Sequence, residues 1–151
     1  MNTPDGQRHE DRADVTDLVY RLGICLDEGR FDELQHLVTE DARVRTPGGR
    51  AEGRGALVAQ AQRNHPPDQR FQHVITNVLV DLNGDRATVR ANLVVDTTIA
   101  GEAPAGGPAP PRRCAVGEVY HFEVLRTPGG WRLSRVETVP VWLSGSLPPI
   151  T

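Results

Sequence analysis

Lysine is absent from this 151-residue chain: all 17 basic residues are arginine. That excludes any mechanism running through a lysine Schiff base. Cysteine is scarce, and Cys25 and Cys114 lie too far apart to match a metal-ligand spacing. Two buried free thiols are expected, as suits a reducing compartment. No apolar run approaches the ~20 residues needed to span a bilayer. The opening MNTPDGQRHEDRAD lacks the apolar core of a signal peptide. A cytoplasmic protein with no membrane partner is therefore expected. The net charge of -3 offers no basic surface, so no nucleic-acid partner is expected either. Phosphate loops, nucleophile elbows and metal-ligand clusters are missing from the sequence, which predicts chemistry without cofactor or metal.

What is present suits one small domain, long enough to bury a core and too short for two. Residues 1–11 read as a disordered lead, 12–144 as the domain and 145–151 as a tail. From Asp14, a plausible N-cap, Val15, Leu18, Val19, Leu22, Cys25 and Leu26 recur at helical spacing until Gly29. A second short helix is predicted with Phe31, Leu34, Leu37 and Val38 on its apolar side. A strand follows over 42–46, then a third helix over 54–64, stopped by Pro66-Pro67.

The second half alternates instead. Strands are predicted over 71–82 and 86–99, joined by the hairpin signal Asn83-Gly84-Asp85. Two more run over 114–126 and 131–143, joined through Thr127-Pro128-Gly129-Gly130. Residues 101–113, GEAPAGGPAPPRR, read as a flexible loop. Helices first and long antiparallel strands afterwards predict an α+β fold rather than βαβ units.

Four segments, CLDEGRFDELQHLVTEDARV, QHVITNVLVDLNGDRATV, GEVYHFEVLRTPGGWRL and VETVPVW, occur in an order and spacing that resemble the SnoaL-like family of the nuclear transport factor 2-like superfamily. The resemblance implies an α+β cone: three N-terminal helices packed on a strongly curved, mainly antiparallel sheet that encloses one pocket. It also implies a small hydrophobic organic ligand and a homodimer.

Alternation along the strand puts His73, Ile75 and Asn77 on one face and Val74, Thr76 and Val78 on the other, without saying which is inward. The similarity of Gln72-His73-Val74-Ile75 to the pocket segment of scytalone dehydratase implies that His73 faces inward, with Asp27 at the first helix end as its partner. Imidazole takes and gives protons near neutral pH, so His73 would be the catalytic acid/base and Asp27 its orienting carboxylate. The competing readings are a strand histidine making one structural hydrogen bond and a solvated helix-end acid.

Asn77 and Tyr120 would polarise a substrate oxygen, and Phe122 would line the cavity beside Tyr120. Tyr20 and Trp142 are candidate substrate-binding aromatics, with packing as the stronger alternative. Glu118, Glu123 and Glu137 are candidate inward carboxylates, weighed against the tendency of strand charges to face water. His9, His36 and His65 attract no functional expectation.

Two departures narrow the chemistry. Thr46 stands where ketosteroid isomerases carry their proton-shuttling acid, which excludes steroid isomerisation of that kind. Thr98 stands where scytalone dehydratase places a second histidine, and its two tyrosines fall on Leu26 and Thr46, so that complete site is missing. The expectation that remains is a cofactor-independent cyclase, dehydratase or isomerase acting on a polyketide-like intermediate. The alternatives are a non-catalytic binding protein and an association domain resembling a ring-hydroxylating dioxygenase small subunit.

Overall fold

A computed structural model describes residues 3–99 and 112–145. The chain begins with α1 (Pro4–Glu28), and the lead predicted to be disordered is helical from its fourth residue. The local reason is legible: Thr3 caps the helix by accepting a hydrogen bond from the Gly6 N–H at 3.1 Å, and Pro4 occupies the first turn. Val15, Leu18, Val19, Leu22 and Cys25 form the buried stripe of α1. Gly29, at φ 66°, ends it in the left-handed conformation that favours glycine.

The second helix, α2 (Phe31–Leu34), is a single turn, shorter than predicted. Val38, assigned by its spacing to that helix, instead opens β1 (Val38–Thr46), where it is fully buried. Thr46-Pro47-Gly48-Gly49 turns the chain into an unpredicted edge strand, β2 (Gly49–Glu52). The third helix, α3 (Arg54–Asn64), lies as predicted, but it follows the β1–β2 hairpin, so the three helices are not one N-terminal block.

The long strands are β3 (Gln69–Asn83), β4 (Arg86–Ile99), β5 (Arg112–Thr127) and β6 (Gly130–Gly145). They form one six-stranded sheet in the order β2-β1-β6-β5-β4-β3. Every pairing is antiparallel except β1 with β6, which is parallel. Register shifts in β1, β3 and at two points between β5 and β6 bend the sheet, because a bulge adds local twist. The predicted 101–113 loop and 145–151 tail fall mostly outside the described residues; Arg112, Arg113 and Gly145 lie within strands.

The inner face of the sheet carries Val80, Ala87, Val89, Ala91, Leu93, Phe122, Val124 and Leu133, all buried with the α1 stripe in one core. A network at the far end pins α1 to the β5–β6 hairpin. Asp11 accepts from both guanidinium ends of Arg126, at 3.0 and 2.7 Å, and from the Trp131 indole at 3.2 Å. Among the described residues no helix is long and apolar enough to cross a membrane.

Candidate active site

Gly23 sets the approach of α1 to β3. A Cβ there would stand 3.0 Å from Ile75 Cδ1 and 3.5 Å from His73 Cβ, so the missing side chain lets the helix close on the strand. One helical turn later Asp27 reaches the same strand. Its carboxylate accepts the His73 backbone N–H at 2.9 and 3.1 Å and meets the ring Nδ1 at 2.5 Å. A carboxylate accepts, so Nδ1 is the donor in this contact. Only 4% of the His73 side chain is exposed, against 23% of Asp27. The pairing inferred from resemblance is thus present in the geometry, with the imidazole inside the fold.

His65, which carried no functional expectation, lies against this pair. Its ring centroid is 5.4 Å from that of His73 and 4.7 Å from Phe71. Its Nδ1 donates to the Ala61 carbonyl at 2.8 Å. Burial, reinforced by repulsion from His73, lowers its pKa to about 4, so this second imidazole is neutral at physiological pH. No local spacing announces the contact, because His65 ends α3 and only the chain path to β3 brings the rings together.

Tyr120 and Phe122 point inward as expected, 3% and 2% exposed, with ring centroids 4.5 Å apart. Burial, with the negative charges of Glu118 and Asp27, raises the Tyr120 pKa, so the phenol keeps its proton. Glu118 shares their face. It is half-buried, and Thr138 Oγ1 donates to its Oε1 at 3.2 Å. Burial raises its pKa more than the Thr138 hydrogen bond and the nearby His73 lower it. The signal was there in the parity of Glu118, Tyr120, Phe122 and Val124, which places all four side chains on one face.

Three candidates sit elsewhere. Asn77 does not continue the face of His73 and Ile75: it occupies the β3 register shift at φ 53°, exposed to solvent. Asparagine tolerates that left-handed conformation better than most residues, so its place is explained by the bulge. Tyr20 is 43% exposed on α1. Trp142 is 45% exposed and pairs with Gly117 on the outer face, where any Cβ at 117 would collide with the indole. Glu123 is exposed on that outer face, while Glu137 is partly covered by its bond from Arg135 at 2.9 Å.

The enclosed hollow expected beside His73 is not where the described concavities lie. Two open hollows, of about 640 and 260 Å³, run along the outer face between charged side chains such as Arg43, Arg45, Arg86 and Glu123. Neither is lined by His73, Asp27 or Tyr120. The His73 ring is closely covered by its surroundings. Among the described residues no trio of His, Cys, Asp or Glu is grouped to hold a metal ion.

Helices against a curved six-stranded mixed sheet, with an inward histidine and helix-end aspartate, define a small α+β cone protein. The chain belongs to the SnoaL-like domain family, which matches residues 7–137. The uncharacterized protein Rv2910c of Mycobacterium tuberculosis is 30% identical over 135 residues, covering 85% of this chain and 84% of its own. Among solved structures, a candidate scytalone dehydratase from Novosphingobium aromaticivorans superposes with a TM-score of 0.79 at 19% identity, covering 95% of this chain and 92% of the other. The hexachlorocyclohexane dehydrochlorinase LinA-type3 from Novosphingobium barchaimii gives 0.78 at 20% identity, covering 96% and 99%. At such identities the structural matches establish the fold.

Proposed function

We propose that the protein is a cofactor-independent lyase that removes a proton from carbon next to a carbonyl in a small hydrophobic molecule, with His73 as the base. The observation that carries this reading is the Asp27–His73 contact of 2.5 Å, which commits Nδ1 to donation and leaves Nε2 as the acceptor. Asp27 would then stabilise the imidazolium formed when the proton arrives. Tyr120, its phenol protonated and buried, supplies a donor in the same interior, and Phe122 an apolar wall. The neutral His65 beside the base adds no positive charge that would oppose proton uptake. The two fold relatives are named for dehydration and dehydrochlorination, and both reactions are eliminations, a class that needs such a base.

The test is solvent exchange followed by turnover. Wild-type protein should exchange α-deuterium of cyclic ketones into water, and His73→Ala should lose about 100-fold or more of that rate. Retention of the rate by a folded His73→Ala protein would sink the assignment.

A further inference from the structure

The outer face of the sheet gathers arginines that lack acidic partners. The larger outer hollow, of about 640 Å³, is lined by five arginines against three carboxylates. Positive charge is therefore in excess here, although the whole chain carries -3. Arg135 on β6 is already engaged, by Glu137 at 2.9 Å and Glu123 at 3.7 Å. The other four are Arg43 and Arg45 on β1, Arg50 on β2 and Arg86 on β4. All four are exposed, and none makes a hydrogen bond or ion pair among the described residues.

Strand register sets these charges against each other. Arg45 stands directly opposite Arg50 in the β1–β2 hairpin, and Arg43 lies beside Arg135 where β1 pairs with β6. Like charges facing across neighbouring strands repel and weaken the pairing. Both pairs line one hollow, so a single anion between them relieves both repulsions at once.

The same spacing describes the anion. Neighbouring strands hold the Arg45 and Arg50 backbones about 5 Å apart, and Arg43 follows Arg45 about 7 Å along its strand. Guanidinium forks match phosphate oxygens two at a time. One phosphoryl group thus fits between Arg45 and Arg50, with a second in reach of Arg43. Arg86 stands three strands away and closes the far side, which leaves room for an organic remainder. A long polyanion is disfavoured, because Asp41, Glu52 and Glu123 on the same lining would repel phosphates running past it.

We propose that this outer hollow binds the diphosphate group of a small molecule, clamped by Arg43, Arg45 and Arg50. His73 and Asp27 do not line it, so the site is independent of the lyase reading.

The test is isothermal titration calorimetry of the full chain at low salt with inorganic pyrophosphate, ADP, orthophosphate and sulfate. Pyrophosphate and ADP should bind once per chain, about tenfold or more tighter than the two single anions. Equal binding of pyrophosphate and ADP identifies the bare diphosphate as the ligand, and tighter ADP shows that the organic part is held too. Either result supports the site. Arg45→Gln and Arg50→Gln should each weaken pyrophosphate about tenfold. Neither should lower the Tm of the ligand-free protein, because each removes a repulsion. Arg63→Gln and Arg70→Gln, exposed arginines outside the hollow, should leave binding unchanged. Four anions of equal affinity, or control variants as weak as Arg45→Gln, would reduce the effect to diffuse charge and overturn the proposal. Failure to bind pyrophosphate overturns it outright. A sedimentation coefficient altered by Arg45→Gln would then assign the face to contact between copies of the chain.

Discussion

The ring of His65 lies 5.4 Å from the ring of His73, centroid to centroid, and only the second is held by a carboxylate. One imidazole meets a carboxylate, and its neighbour is kept from taking up a proton. His65, lowered to about 4 from 6.5, binds fewer protons folded than unfolded between those values. Its contribution to stability is complete above pH 6.5 and lost as pH falls towards 4, at most about 3 kcal/mol. Urea unfolding midpoints measured from pH 7 to pH 4 should fall, and His65→Gln should flatten that slope. A slope unchanged by the substitution would contradict the buried neutral imidazole.

A second acid-sensitive step follows from Asp11. Hydrogen bonds from Arg126 hold its pKa at about 2, against the opposing effect of burial, with Trp131 and Gln7 adding to the lowering. A folded pKa below the usual 3.8 contributes stability that is complete above pH 3.8 and lost as pH falls through 2. Asp11→Asn should cost about 2 kcal/mol at pH 7 by weakening bonds to a guanidinium and leaving the hairpin less firmly tied to α1. Thermal melts of the variant should also lose the wild-type dependence on pH between 4 and 2.

Gly23 makes a sharper prediction about the site. A valine there has branches that must enter the space now held by Ile75 Cδ1 and the His73 Cβ. Overpacking of this kind costs about 1–3 kcal/mol and here pushes α1 away from β3. The expected result is a folded protein in which the Nδ1 proton of His73 loses its downfield NMR resonance and activity falls with it. A variant that keeps both would show that the helix approach is not set by Gly23.

Burial also orders the reactivity of the histidines. His9, His36 and His121 are exposed, whereas His65 and His73 are covered. Diethyl pyrocarbonate followed by peptide mass spectrometry should modify the first three quickly and the last two slowly. A His73 that reacts as fast as His9 would show an open route to the ring in solution.

The sequence by itself determined the elements whose signals are local. Helical spacing from Val15 to Leu26, the Asn83-Gly84-Asp85 turn and the alternation on either side of it depend on neighbours in the chain, and α3 and β4 lie where their residues predict. Where two local signals competed, composition misled: the polar lead outweighed the Thr3-Pro4 start, and Val38 fits either a helix face or a strand. The Asp27–His73 pairing was available only through family resemblance, since nothing local says which face of β3 is inward. Tertiary structure alone decided that Asn77 sits on a bulge, that Trp142 covers Gly117 outside, and that His65 lies against His73. Those outcomes depend on strand register and on the docking of α1 and α3. They arise from contacts between residues tens of positions apart, which short-range spacing does not encode.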